Sequence, residues 1–145
     1  MHDGHHHDPA ADPTIRFTVS LPERLLAELD ARITGRGYAS RSELVRDLIR
    51  KAMVRDAWQD GAQEMIGVLS LRYDHHRAGL TDRLHAIQHR QFVHVLCTQH
   101  VHVDHHTCVE TIVLRGKPAE IEQMALEIAG LKGVMEAELT RLGGS

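Results

Sequence analysis

Large aromatic side chains are scarce in this sequence. Its 145 residues include two Phe, two Tyr and one Trp, although 42% of the chain is apolar. The length allows one ordinary domain or two small ones. Two half-size domains so poor in large rings would bury little surface alone, so association with further copies is expected. No apolar run approaches the ~18 residues that a membrane-spanning helix needs. No charged-then-apolar leader opens the chain, so export through a signal peptide is not expected. Cysteine is also rare. Cys97 and Cys108 give no disulfide framework, and a reducing cytoplasmic setting is the expectation.

Charge and histidine are unevenly spread. Residues 14–55 hold nine Lys/Arg against five Asp/Glu, and the remainder holds eight against fifteen. A basic segment joined to an acidic one points to an anionic partner at one end. Of thirteen histidines, four fall within residues 2–7, none in 8–74, and nine in 75–106.

Residues 1–13, MHDGHHHDPAADP, have no apolar periodicity and read as a disordered arm. Its histidines could bind metal loosely or belong to a solvating tail. Residues 14–20 alternate, with Ile15, Phe17 and Val19 on one side and Arg16, Thr18 and Ser20 on the other, as in a half-buried strand. Pro22 opens a helical pattern through Leu25, Leu26, Leu29 and Ile33 that stops at Gly35-Arg36-Gly37. Ser40 and Glu43 have capping-box spacing before a second helix with the apolar face Leu44, Val45, Leu48, Ile49, Ala52 and Met53.

A lone seven-residue strand leaves both edges unpaired and cannot persist. Pairing with the same strand of a second chain would give a two-stranded antiparallel ribbon across a two-fold axis. Such a ribbon fits the DNA major groove, and Arg16, Thr18 and Ser20 can bond to base edges or phosphate. The free amides at Ser40-Arg41-Ser42 suit a phosphate. Two plainer roles compete: a solvated outer face for the polar residues, and a cap on the first helix for Ser20, through Glu23.

Residues 56–63, DAWQDGAQ, continue the second helix and break it at Gly61, and are taken as a linker. The remainder reads as strand 64–73, helix 75–90, strand 92–103, strand 107–114, helix 117–130 and strand 133–141. The order βαββαβ is a small ferredoxin-like sandwich, which by itself says nothing decisive about function.

Within it, His100 and His102 share one face of a strand. Cys108 follows six residues later, past an expected turn at Asp104-His105-His106, and a hairpin would fold it back beside them. Two imidazoles and a thiolate suit Zn, Cu or Ni, and His89 at the end of the preceding helix is a candidate fourth ligand. Cys97, of opposite parity, reads as a small buried residue. His94 shares the parity of the pair. His75, His76, His85, His105 and His106 read as surface or supporting groups. A closed four-ligand site leaves no position for an attacking water, and no carboxylate pair stands out, which argues against a hydrolytic metalloenzyme.

The segments IRFTVSLPERLLAELD, RGYASRSELVRDLIR and VLSLRYDHH, with Gln88-His89, His100-Val101-His102 and Cys108-Val109-Glu110, resemble the nickel-responsive repressor family (NikR) over residues 14–141. The resemblance implies an α+β chain: an N-terminal ribbon–helix–helix domain (14–55, an intertwined dimer) and a C-terminal ACT-like metal and tetramerisation domain (64–141), with 142–145 a tail. It implies one Ni(II) per chain, held by His100, His102 and Cys108 with His89 of a neighbouring chain in a square-planar site, and Gln88 and Glu110 supporting it. It makes Arg16, Thr18 and Ser20 the DNA-reading strand, and Glu43 and Asp47 holders of a harder cation such as K+. The partners implied are operator DNA and three further copies, with no membrane. The family's His-rich run after the first ligand is interrupted here by Arg90-Gln91-Phe92-Val93, which bears on weak accessory metal binding. The same scaffold answering to Co, Cu or Zn, and a metal store or chaperone without DNA function, are the alternatives.

Overall fold

The computed structural model describes residues 12–89 and 92–144, and the chain divides into two compact units within its second helix, after Leu44. The expected arm lies outside the described residues apart from its last two positions.

In the N-terminal unit, α1 spans Glu23–Arg36 and α2 begins at Arg41. Gly37 ends α1 with φ 71°, a left-handed conformation open to glycine, and the Tyr38 amide returns to the Ile33 carbonyl. Ser40 Oγ accepts from the Glu43 amide at 3.1 Å, the first half of the expected capping box. The Glu43 carboxylate reaches one residue further back than expected, to the amide of Ala39 at 2.8 Å. Arg41 clasps Asp30 through two hydrogen bonds of 2.7 Å, tying the start of α2 to α1. The Arg41 guanidinium holds the Asp30 carboxyl below its ordinary value. That contribution is therefore present above the ordinary carboxyl range and lost as pH falls through the depressed value.

Two expectations change here. Residues 12–22 form no regular secondary structure in the single chain. Ile15, Phe17 and Val19 are 83%, 71% and 60% exposed, so the face expected to be covered is bare. The physical reason is that a strand needs a neighbour for its backbone groups, and one copy of the chain provides none here. Nor does Ser20 cap α1: Pro22 occupies the cap position, and no side chain bonds to the first turn.

In the C-terminal unit, α2 runs on unbroken to Asp60 and stops at Gly61, φ 72°. Then follow β1 (Met65–Asp74), α3 (Leu80–Gln88), β2 (His94–His102), β3 (Thr107–Gly116), α4 (Pro118–Ala129) and β4 (Val134–Leu142). The sheet order β2-β3-β1-β4 is antiparallel throughout, the expected ferredoxin-like arrangement. Alternation in β1 sends Met65, Leu69, Leu71 and Tyr73 into the core, opposite Cys108, Ile112 and Leu114 of β3. Leu80, Leu84 and Ile87 of α3 and Ile121, Met124, Ala125 and Ile128 of α4 close it.

The helix expected over 75–90 starts late, because residues 75–79 turn instead. Asp74 Oδ1 accepts from the His76 amide at 2.9 Å, and Gly79 takes φ 74° before Leu80. Where α4 crosses β1, a Cβ on Gly67 would come to 2.8 Å from Ile121 Cγ2. Ile121 is fully buried and has nowhere to go. Gly67→Ala should therefore destabilise the fold by about 1–3 kcal/mol, the usual overpacking cost, read as a lower midpoint in urea at unchanged slope.

Candidate metal centre

The β2–β3 hairpin builds the site. Its turn is made by Asp104, whose Oδ1 accepts from the amides of His106 and Thr107, both at 2.8 Å. This puts His102 directly opposite Cys108 and His100 opposite Glu110. The Cys108 Sγ lies 3.3 Å from His102 Nδ1, and the rings of His100 and His102 sit 5.4 Å apart. The fold-back expected of Cys108 is thus observed.

The third member of the cluster is His75, which sequence reasoning set aside. One ligand atom each from His75, His102 and Cys108 all lie within 4.8 Å of one another. His75 meets His102 edge-on at 4.7 Å, and its Nδ1 is buried without a hydrogen-bond partner. The signal was the non-local register: β1 pairs Tyr73 with Cys108 and Asp74 with Thr107, so the residue after β1 arrives beside the hairpin.

Gln88 and Glu110 meet as well, Gln88 Nε2 donating to Glu110 Oε1 at 3.3 Å, so the end of α3 is fastened over β3. His89 ends α3 and lines the same cleft as His100, His102, Cys108, His75 and Glu110. It stands outside the group of three donors that converge in the single chain.

Two parity expectations fail for one reason each. A bulge at Leu96 inserts an extra residue into β2, so His94 pairs with Arg115 and turns to the face opposite His100 and His102. Cys97 is exposed rather than buried, because β2 is an edge strand with no described element over that face. His76 lies against His75, ring centroids 4.2 Å apart, but its Nε2 is taken up by the His105 carbonyl at 2.6 Å.

Burial is the leading cause of the shifts at this site. Burial, then the Glu110 charge, pushes the Cys108 thiol up, and burial, then its charged neighbours, does the same to the Tyr73 phenol. Burial and the neighbouring His76 and His102 lower His75, which keeps its imidazole neutral and able to donate a lone pair. Imidazole nitrogens, a thiol that a metal can deprotonate and an orphaned ring nitrogen together fit a soft or borderline transition ion.

The remaining predicted residues belong to the N-terminal unit or α2. Arg16, Thr18 and Ser20 lie exposed along the irregular segment 12–22. Glu43 is engaged by the start of its own helix, and Asp47 pairs with Lys51 at 2.8 Å. No described helix is long and apolar enough to cross a membrane.

Comparison with known proteins agrees with this layout. Residues 66–142 match the family described as NikR C terminal nickel binding domain, and residues 15–56 match the ribbon-helix-helix proteins of the copG family. A protein of Campylobacter concisus named as a nickel-responsive regulator is 53% identical over 130 residues, 90% of this chain and 95% of its own. One of Helicobacter pylori strain P12 with the same name is 51% identical over 142 residues, 96% of this chain and 94% of its own. Among solved structures, a homoserine dehydrogenase from Thiobacillus denitrificans overlays 59% of this chain and 18% of its own, at TM-score 0.42 and 17% identity, too distant to bear on function. With both of its units matched in order and just over half of the aligned residues identical to these regulators, the chain belongs to the nickel-responsive regulator family.

Proposed function

We propose that this protein is a nickel-dependent transcriptional repressor, acting as a cytoplasmic homotetramer on operators of nickel-uptake genes. The observation that carries the reading is the convergence of His102, Cys108 and an orphaned His75 nitrogen at one end of the sheet, in a chain whose other unit matches a DNA-binding family. His100, His102 and Cys108 are the ligands from one chain, and His89 of a neighbouring copy is the fourth, with one Ni(II) per chain. His89 is exposed and lines the same cleft while standing outside the converged group of three, which supports a role toward another copy. When bound, Ni(II) supplies a link between two chains. Gln88 and Glu110 hold the end of α3, and so His89, in place, while His75 orients the His102 ring.

The bare apolar row of Ile15, Phe17 and Val19 supports a ribbon shared by two copies. Pairing would turn Arg16, Thr18 and Ser20 outward twice over, toward the major groove. Residues 14–55 are the DNA-binding domain, 56–63 the connection and 64–141 the metal domain. Glu43 and Asp47 hold a harder cation such as K+. Linking the central domains narrows the placements open to the two ribbons, and the operator selects among those placements.

The test is an operator shift assay at fixed salt, titrated separately with Ni(II), Zn(II) and Cu(II). Tightening by Ni(II) at lower concentration than the other two is expected, lost in His89→Ala. Metal binding without any effect on DNA affinity would leave storage or delivery as the function, and tightening led by another metal would make this a sensor for that metal.

A further inference from the structure

The last turn of α3 carries two histidines, His85 and His89, four positions apart. Side chains at that spacing stand one above the other on the same face of a helix. The His89 amide donates to the His85 carbonyl at 3.1 Å, so the helical turn holds through both. Their rings lie 6.1 Å apart, with planes inclined by 59°. Both residues are exposed, and among the described residues no hydrogen bond or ion pair engages either ring. The turn that holds them is fastened to the sheet, because Gln88 donates to Glu110 of β3 at 3.3 Å.

Two imidazoles so placed chelate a borderline divalent ion, since the helix sets both donors before the ion arrives. The free carbonyls at this end of α3 carry partial negative charge, which further favours a cation. The pair lies on the helical wall of the cleft whose strand wall holds His100, His102 and Cys108, and neither of its members belongs to the converged group of three donors. The inter-chain role given above to His89 makes no use of His85.

We propose that His85 and His89 form a capture site that takes Ni(II) from solution on a single chain and carries it into the inter-chain centre. When His89 joins the ligands of a neighbouring copy, the ion stays on His89. Its bond to His85 breaks, bonds to His100, His102 and Cys108 of that copy form, and the Cys108 proton passes to water. The hand-over rests on the assignment of His89 made above, whereas the capture site itself does not.

The experiment uses the full-length protein. In Cys108→Ala, where the principal centre is broken, Ni(II) is titrated while reaction of each histidine with diethyl pyrocarbonate is mapped by peptide mass. Ni(II) should shield His85 and His89 together, and adding His85→Ala should raise the nickel concentration that shields His89 by about tenfold or more. His85 reacting equally fast with and without Ni(II), or His89 shielded equally well without His85, overturns the capture site. His85→Ala alone tests the hand-over, through the thiolate-to-nickel absorption band. Equilibrium nickel affinity should stay within about threefold of wild type, since His85 is not a ligand of the final centre. Below saturation the band should rise slower by about threefold or more, because the ion is no longer held beside its destination. An unchanged rate overturns the hand-over, and a loss of equilibrium affinity as large as the loss of rate makes His85 part of the centre itself and overturns it too. Because His85 is exposed, the thermal midpoint should not move. Absence of the band in the wild type would strike down the Cys108 centre and the hand-over with it, while shielding in Cys108→Ala would still decide the capture site.

Discussion

Cys108→Ala should abolish nickel-dependent operator binding while leaving the fold intact. The thiol is the one sulfur donor at the centre, and its Sγ lies 3.3 Å from a ring nitrogen of His102 across the hairpin. Removing a partner outside the coordination shell typically costs about 10–100-fold in metal affinity, so loss of a direct ligand should cost more. Cys108 is also buried, and the alanine leaves only a small void against Tyr73. Stability should therefore fall far less than nickel affinity does. Parallel nickel titration and thermal unfolding check both halves. Retention of nickel affinity would mean that the ligands lie elsewhere among the nine clustered histidines.

Arg16→Ala should have the mirror-image effect: nickel binding unchanged, operator binding lost with or without metal. Arg16 stands on an exposed segment in a unit that contains none of the histidines at the metal centre. Loss of an arginine at a DNA contact costs about 1–3 kcal/mol, and a two-fold ribbon loses two of them at once. A shallower dependence of operator affinity on salt should accompany the loss, because each phosphate neutralised adds about one to the slope. Unchanged DNA affinity in Arg16→Ala would return this row to the plainer role of a solvated face.

How much of this was legible depended on whether the deciding contact was local. The α1 stop at Gly37, the Ser40 cap, the hairpin turn at Asp104 and the βαββαβ order are all set within a few residues, and each appears where local chemistry puts it. Period-two reasoning identified His100 and His102, because no irregularity falls between them. It failed for His94, since the bulge at Leu96 shifts the register by one and nothing in Val95-Leu96-Cys97 announces it. His75 was missed because its place is fixed by pairing between β1 and β3, more than thirty residues apart. The strand at 14–20 needed a second chain, so its alternation was visible and its partner was not. Trp58 sat in the one stretch read as a connection, and its burial comes from β4, at the other end of the sequence.

Reciprocal linkage gives the most direct test of the central claim, that one assembly couples nickel to DNA. If nickel tightens operator binding by some factor, the operator must tighten nickel binding by the same factor. Nickel affinity should be measured by competition with a chelator, at one salt concentration, with saturating operator DNA and with an unrelated duplex of equal length. The account predicts tighter nickel binding with the operator, by the factor found in the converse titration, and no such gain in Arg16→Ala. Equal nickel affinity with operator and unrelated DNA would contradict it.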